Sequence, residues 1–168
     1  MGMRALLVRP GFEGDLVREF LTASAAYVGW DKLGDLSKFT PAALDELLMR
    51  AYPQCRLAGG TPAKHYREIA EFALMTRPGD LVIAPDTAHG RFVVGTVSAP
   101  YRFESLSKVR SGQEVFRHAL PTKWTHAVAR SELDQTALKD TDQRGKTTFW
   151  LRHETVARFE RASQHPLR

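Results

Sequence analysis

Residues 77–103 read RPGDLVIAPDTAHGRFVVGTVSAPYRF, and the rest of the chain can be placed around them. Residues 77–80 end the preceding segment, because proline cannot continue a helix and glycine readily adopts the left-handed turn conformation. Two runs rich in β-branched and aromatic residues follow, at 81–84 and 91–97, joined by a loop at 86–90. Both runs are almost continuously apolar, and their connection is short. The pattern therefore predicts an antiparallel hairpin that is buried on both faces.

Length and composition fit one domain and exclude several classes of protein. The chain has 168 residues, 43% of them hydrophobic, which is enough for a single core. No apolar run approaches the roughly 20 residues that span a bilayer, and we expect a cytoplasmic protein. The single Cys55 excludes internal disulfides and a thiolate-cluster zinc site. The net charge of +5 permits contact with phosphates, although such an excess is usually only a solvated surface.

Periodicity and start signals predict further elements around the hairpin. The Thr40-Pro41 and Thr61-Pro62 pairs each give a capping hydroxyl followed by proline at the first helical position. Strands are predicted at 3–9, 26–30, 114–120 and 124–129. Helices are predicted at 13–24, 40–52, 61–76 and from Ser131. A bent extension of the hairpin is predicted at 99–103 and a polar loop at 104–114. Residues 149–159 fit either a helix or a strand.

Motifs that carry catalysis are absent from the sequence. The six histidines do not show an HxxxH or HExxH spacing, so no metal site is predicted. The Gly59-Gly60-Thr61 segment precedes a helix but has no phosphate-loop lysine. Pro85-Asp86 fits a turn better than a nuclease carboxylate, because no Glu-x-Lys pair follows on a strand. We therefore expect a binding module without a cofactor rather than an enzyme.

Five segments in order resemble one known family. They are Tyr27 to Ser37 (YVGWDKLGDLS), Arg77 to Pro85 (RPGDLVIAP), Val94 to Tyr101 (VGTVSAPY), Arg117 to Trp124 (RHALPTKW) and Thr155 to Phe159 (TVARF). Together they are similar to the N-terminal module of modification-dependent restriction endonucleases of the Mrr type. The basic segment would end in Lys-Trp and the last segment would be the closing strand. The resemblance covers residues 3–160.

The resemblance implies an α+β, PUA-like fold related to the EVE, YTH and ASCH domains, with a curved mixed sheet or open barrel and flanking helices. Modules of this kind bind nucleic acid, and several take a flipped modified base into a pocket at the mouth of the barrel. In the related restriction systems a separate nuclease domain cuts the DNA. One departure is Arg67 to Phe72, where relatives show a Gly-Gln-Leu-Trp-like run. We expect residues 1–161 to form this module and 162–168 to be a tail or linker stub towards a possible nuclease domain.

A reader of a 5-substituted cytosine must stack the flipped base on an apolar wall and satisfy its pairing edge with polar groups. Trp30 is a candidate wall, and its alternative role is core packing. Asp31 or Asp86 is a candidate acceptor for the cytosine amino group, and the alternative for both is an exposed turn carboxylate. The predicted base pocket consists of Val28, Trp30, Asp31, Pro85, Asp86 and Thr87.

Phosphates around such a pocket need cations and amide donors, which add salt-dependent affinity without sequence information. Trp124 either packs beneath the basic segment or stacks with a base. The predicted nucleic-acid contacts are Lys32, Lys64, Arg67, Arg91, Arg117, His118, Lys123 and Trp124.

Three functions remain open from the sequence. The first is a module that binds modified double-stranded DNA, with 5-methylcytosine or 5-hydroxymethylcytosine as the expected mark, in a type IV-like restriction system. The second is an RNA-binding PUA-like domain that reads a modified or single-stranded base. The third is a small enzyme that acts on nucleotides or RNA. The first is the favoured prediction, and it rests on family analogy.

Overall fold

A strongly curled mixed β-sheet with helices packed against it forms the fold, as seen in a computed structural model that describes residues 2–167. The predicted α+β class and curved mixed sheet are confirmed. The order of strands in the main sheet is β2-β8-β4-β3-β1-β9, and the short strand β5 also pairs with β8. The curl brings β2 back towards β1, so that the sheet forms half of a barrel.

The strands are β1 (Ala5–Val8), β2 (Ala25–Val28), β3 (Leu81–Asp86), β4 (Arg91–Val97), β5 (Arg102–Phe103), β6 (Arg110–Ser111), β7 (Glu114–Val115), β8 (His118–Ala129) and β9 (Thr148–Trp150). The helices are α1 (Val17–Ala23), α2 (Pro41–Ala51), α3 (Lys64–Ala70), α4 (Gln135–Thr141) and α5 (His153–Arg161). Single 3-10 turns lie at Phe12–Gly14, Pro53–Cys55, Thr87–His89 and Arg130–Glu132.

The hairpin predicted at residues 77–103 is confirmed and lies in the middle of the sheet. β3 and β4 pair antiparallel, with Ile83 opposite Val94, and β1 pairs parallel to β3. Alternate side chains of β3 enter two different cores, Val82 on one face and Ile83 on the other. The continuously apolar sequence follows from this burial on both faces, since each face of the strand needs its own apolar set.

Strand β8 runs unbroken where the sequence predicted two separate strands at 114–120 and 124–129. Its first half pairs with β2 and its second half with β4, and the partner changes between Pro121 and Thr122. Pro121 lacks an N–H and therefore marks the point where one set of hydrogen bonds ends. Thr122 N–H then donates to the carbonyl of Ser24. This change of partner is what curls the sheet.

Two helices are shorter than predicted, and each has a local cause. Helix α1 begins at Val17 because Glu13 takes a left-handed φ of 55°, which interrupts the predicted run from residue 13. Helix α3 begins at Lys64 because Pro62 forms an isolated bridge with Arg56 and Ala63 is extended. The start at Thr40 is confirmed, since its hydroxyl accepts from Ala43 N–H.

The C-terminal part of the chain contains the clearest error of the sequence prediction. Residues 155–159, predicted as a closing strand, lie in helix α5, where Val156 and Phe159 are buried at helical spacing. The strand at this edge is β9, a few residues earlier. The loop predicted at 104–114 includes the small β6–β7 hairpin, and residues 102–103 form the separate strand β5.

The segment that follows α5 packs on the domain as far as it is described, and Arg168 lies outside the described residues. Ala127 and His165 exchange both backbone hydrogen bonds, and Leu167 packs against the larger core. Within residues 2–167, no helix has the length and apolarity needed to cross a membrane. The same residues contain no cluster of three His, Cys, Asp or Glu side chains that could hold a metal ion.

Candidate nucleic-acid interface

A cavity of about 620 Å³ opens beside Trp30, where the end of β2, the Phe12–Gly14 turn, helix α3 and the β6–β7 hairpin meet. We call it the Trp30 cavity. Its volume is in the range of small-ligand sites. Five of its lining residues are aromatic: Phe12, Trp30, Tyr52, Tyr66 and Phe116. The other lining residues are Arg9, Gly11, Glu13, Gly29, His65, Glu68, Glu114, Gly145, Lys146 and Thr147.

Trp30 is held in a backbone conformation that is unusual for a bulky residue. Its φ is 52°, in the left-handed region. The Trp30 carbonyl accepts from Leu33 N–H at 3.0 Å and from His118 Nε2 at 3.1 Å. The indole itself is half-buried. The strained turn after β2 therefore directs the indole to the cavity wall instead of leaving it in the strand.

A buried chain of hydrogen bonds behind Trp30 determines which nitrogen of His118 carries the proton. The Trp30 carbonyl can only accept, so His118 carries its proton on Nε2 and accepts on Nδ1 from the Tyr101 hydroxyl at 2.7 Å. Leu36 N–H donates to that hydroxyl at 3.3 Å. Burial lowers the pKa of His118 to about 4, and burial also raises the pKa of Tyr101. Both side chains are therefore neutral at physiological pH.

A pair of tyrosines forms another part of the cavity wall. The rings of Tyr52 and Tyr66 lie 5.4 Å apart between centroids, tilted by 47°. The Tyr52 hydroxyl accepts from Lys32 N–H at 3.3 Å, and burial raises its pKa to about 12. Lys32 Nζ lies 5.3 Å from the centroid of the Tyr52 ring. This contact places an exposed cation at the edge of the aromatic wall.

Two of the three glutamates that line the cavity are at least half-buried, Glu68 and Glu114. Glu68 is 5% exposed, and its Oε1 accepts from the N–H groups of Thr147 and Thr148. Glu114 lies against Gly29, where a β-carbon would overlap its carboxylate, and it accepts from Asp31 N–H at 3.4 Å. Burial raises the pKa of both glutamates, although backbone N–H donors oppose the shift.

Arg9 lines the cavity as a possible anion ligand, but its guanidinium is bonded to backbone carbonyls. Its guanidinium donates to the carbonyls of Lys146, Thr141 and Gln143, at 2.7, 3.4 and 2.9 Å. These bonds hold the loop that follows α4, which forms one rim of the cavity. Burial lowers the pKa of Arg9. The guanidinium therefore serves structure first and offers few donors to a ligand.

Phe12 forms the exposed rim on the other side. Its side chain is 59% exposed, and its ring lies against Gly112 in the turn of the β6–β7 hairpin. Phe12 N–H donates to Ser111 Oγ at 2.7 Å, and Ser111 donates in turn to Asp15. The hydrogen bond from Phe12 N–H therefore keeps the exposed Phe12 ring beside the opening of the cavity.

Of the residues predicted for the base pocket, Trp30 lines the cavity and five do not. Val28 is fully buried in the core, and the Asp31 side chain is exposed outside the lining. Pro85, Asp86 and Thr87 lie behind the Phe12–Gly14 turn, where Gly14 faces the Thr87 hydroxyl. The Asp86 carboxylate is 2% exposed and is bound by Arg91 and by His89. Burial opposes ionisation there, but these two partners outweigh it and lower the pKa of Asp86.

The predicted nucleic-acid contacts do not form a single cluster. Lys32 and Lys64 are exposed beside cavity residues, and Arg67 on the same helix as Lys64 pairs with Asp45 at 3.0 Å. Arg91 pairs with Asp86 at the corner of the hairpin, Arg117 is half-buried beside the cavity residue Phe116, and Lys123 is exposed further along β8.

His118 and Trp124 have structural contacts. His118 is 0% exposed, and its predicted role as a surface cation is wrong because burial keeps it neutral. Trp124 Nε1 donates to the Phe20 carbonyl at 2.8 Å, and the indole stacks on the Phe20 ring. This agrees with the packing alternative for Trp124.

Sequence analysis missed most of the cavity, including Phe12, Tyr52, Tyr66, Glu114 and Phe116. One signal was present for Phe12, an apolar ring next to Gly11 and Gly14, both of which take positive φ. The others come from three separate segments, around Tyr52, around Tyr66 and at residues 114–116, and nothing local marks these segments as neighbours.

The chain belongs to the family described as a domain of unknown function, DUF8426, whose model matches residues 10–152. No curated protein sequence matches it. Among solved structures, the chain is similar to the YTH domain of the Zygosaccharomyces rouxii MRB1 protein, crystallised in complex with N6-methyladenosine RNA. That similarity has a TM-score of 0.47 and 15% sequence identity, and it covers 96% of this chain and 90% of that chain.

Proposed function

We propose that this chain is a binding module that takes one modified base, flipped out of DNA, into the Trp30 cavity. The observation that carries the proposal is a cavity of about 620 Å³ with five aromatic rings in its wall. Nucleobases removed from a duplex are held by stacking on aromatic side chains and by hydrogen bonds to their edges. Trp30 and the Tyr52–Tyr66 pair supply such faces in the cavity wall.

The arrangement of charge supports a base, and not a phosphate, as the group inside. Glu13, Glu68 and Glu114 line the cavity. Of the two cations in the lining, the guanidinium of Arg9 donates to backbone carbonyls and Lys146 Nζ donates to Gln143 Oε1. A phosphate there would face three carboxylates. Lys32 and Lys64, by contrast, are exposed beside the cavity, where a nucleic-acid backbone would pass.

The identity of the mark rests on the sequence resemblance to Mrr-type recognition modules. It supports 5-methylcytosine or 5-hydroxymethylcytosine in double-stranded DNA, a PUA-like fold, and a restriction system whose nuclease is a separate domain. A carboxylate in the cavity suits cytosine, since acidic side chains accept from its N4 amino group.

The test compares otherwise identical duplexes that carry cytosine, 5-methylcytosine, 5-hydroxymethylcytosine or N6-methyladenine at one position, with matched single-stranded RNAs, at one salt concentration. We expect the wild type to prefer a modified cytosine. Stacking contributes about 1–3 kcal/mol per base, so Trp30→Ala is expected to weaken binding by about tenfold or more and to remove the preference.

Trp150→Ala is the matched control, because Trp150 is also half-buried but lies on β9 outside the cavity. It should leave the preference for the modified duplex intact. Equal binding of all probes, unchanged by Trp30→Ala, contradicts the proposal. Tighter binding of the modified RNAs selects the RNA-reading alternative instead.

A further inference from the structure

Glu114 is the carboxylate of the Trp30 cavity that remains available to a ligand. It begins β7 and reaches across to the end of β2, where Gly29 leaves room for it. Its Oε1 accepts from Asp31 N–H, and the neighbouring Trp30 backbone also favours the ionised form of the carboxylate. These backbone groups hold the carboxylate beside Trp30.

The other acidic groups near the cavity are already committed or point elsewhere. Glu68 is almost completely buried and bonds the N–H groups of Thr147 and Thr148. Asp86 bonds Arg91 and His89 outside the cavity, and Asp31 is exposed. Glu13 lines the rim on the strained turn but is exposed to water. Glu114 alone among these combines a fixed position with half-burial next to the aromatic wall.

We propose that Glu114 accepts a hydrogen bond from the exocyclic amino group of the bound base, and that the cavity therefore selects amino-bearing bases over their keto counterparts. The inference rests on the proposed function. It assigns to Glu114 the role that the sequence suggested for Asp31 or Asp86. The substrate class is then a cytosine or adenine derivative, with thymine and uracil excluded.

The selectivity follows from what a carboxylate can offer. An ionised carboxylate only accepts, so it pairs with the N4 amino group of 5-methylcytosine but faces the O4 oxygen of thymine with no proton between them. The two bases otherwise have the same ring and the same 5-methyl group. A site built to bond an N–H rejects an analogue that lacks it, because buried polar groups are then left unpaired.

The experiment uses duplexes with 5-methylcytosine or thymine opposite an abasic site, so that neither base has a pairing partner to lose on extrusion. Wild-type protein should bind the 5-methylcytosine probe about tenfold to a hundredfold more tightly, as a hydrogen bond to a charged group implies. In Glu114→Gln the amide oxygen can still accept from Asp31 N–H, while the NH2 group takes the place of Oε2 and donates to O4 of thymine. The preference should then fall towards equality.

Glu13→Gln is the matched control, since it removes a carboxylate from the same cavity and should keep the preference. If the wild-type protein binds both probes equally, and binds each more tightly than a duplex with no base at that position, the role proposed for Glu114 is wrong. The proposal that the cavity binds a base is then unaffected. An undiminished preference in Glu114→Gln also overturns it. Failure to distinguish either probe from the baseless duplex overturns the proposed function itself.

Discussion

At the scale of single residues, Trp30 has a strained backbone conformation and lies in the wall of the proposed binding cavity. A left-handed backbone costs roughly 1–3 kcal/mol for a side chain of this kind, and it persists only where its surroundings fix it. A chain of hydrogen bonds runs from Leu36 N–H through Tyr101 and His118 to the Trp30 carbonyl. These bonds fix the backbone of Trp30 in this conformation. The indole wall is therefore set before any ligand arrives, which lowers the ordering cost of binding.

His118 should make folding stability depend on pH. Its pKa is about 4 in the fold against an ordinary 6.5, so the unfolded chain binds a proton between these values and the folded chain does not. Stability from this residue is complete above pH 6.5 and is lost as pH falls towards 4. We expect His118 alone to contribute a decrease of about 2 kcal/mol in the free energy of unfolding between pH 7 and pH 5, measured by urea unfolding as the difference from a variant that does not titrate there.

His118→Gln gives the comparison, because an amide can also donate to Trp30 and accept from Tyr101 but does not titrate in this range. Glu68 and Glu114 act in the opposite direction, since their raised pKa values favour the folded state as pH falls. The difference between wild type and variant cancels their contribution. If that difference is the same at pH 7 and pH 5, the assigned protonation of His118 is wrong.

Phe12→Ala should weaken binding with little effect on folding. The ring is mostly exposed at the cavity rim, and surface substitutions usually change stability by less than about 0.5 kcal/mol. Loss of one stacking face should lower affinity for the modified duplex by about tenfold, measured by fluorescence anisotropy. Leu106→Ala removes a side chain that is 90% exposed but lies outside the cavity lining, and it should bind as the wild type does. Equal losses in both variants would argue against a contact at Phe12.

The sequence indicated only part of the site at this scale, for a physical reason. Trp30 stands out locally because it follows a short strand and precedes a polar turn. His118 lies in a basic-looking segment, Arg117 to Lys123, and only its burial removes its charge. Burial depends on partners such as Tyr101 and Trp30 that are distant in the chain. Local sequence contains no information on those distances.

At the scale of elements, the central hairpin was predictable and the strand next to it was not. β3 and β4 are neighbours in the chain, and their turn and apolar runs specify the pairing. β8 exchanges partners midway, and its alternation is broken by Pro121 and by the bulge opposite Val94 and Gly95. A local pattern divides it into two strands, whereas pairing with β2, β4 and β5 keeps it whole. Tertiary contacts determine this element.

Gly95 should tolerate no side chain, because β4 and β8 approach closely there. A β-carbon at Gly95 would lie 2.6 Å from Thr122 Cγ2 and 2.8 Å from the carbonyl oxygen of Lys123. Gly95→Ala is expected to destabilise the fold by about 1–3 kcal/mol, measured by urea unfolding. Gly34→Ala, with nothing within 4 Å of the added carbon, should be close to neutral. Similar stability for both variants would mean that the bulge can open without cost.

At the scale of the whole molecule, the net charge of +5 matters only through its placement. Glu68 and Glu114 line the Trp30 cavity together with Arg9 and Lys146, whose charged groups are bonded within the fold. The exposed cations Lys32 and Lys64 lie beside it. Phosphates are therefore expected to pass over the cavity opening while one base enters. Lys123 was predicted to have the same role as Lys32, but five residues of β8, about 16 Å of extended strand, separate it from His118 at the cavity end of the strand.

The dependence of affinity on salt should distinguish these two lysines. Each phosphate contact adds about 0.9 to the slope of log affinity against log salt concentration, and its loss weakens all duplexes alike. Lys32→Ala is therefore expected to lower the slope by about 0.9 with both cytosine and 5-methylcytosine duplexes, whereas Lys123→Ala should leave it unchanged. The measurement is a titration at several salt concentrations for both variants. If Lys32→Ala loses affinity only for the modified duplex, Lys32 contacts the base through the Tyr52 wall and not a phosphate. If Lys123→Ala lowers the slope, the DNA lies along β8 instead of over the cavity.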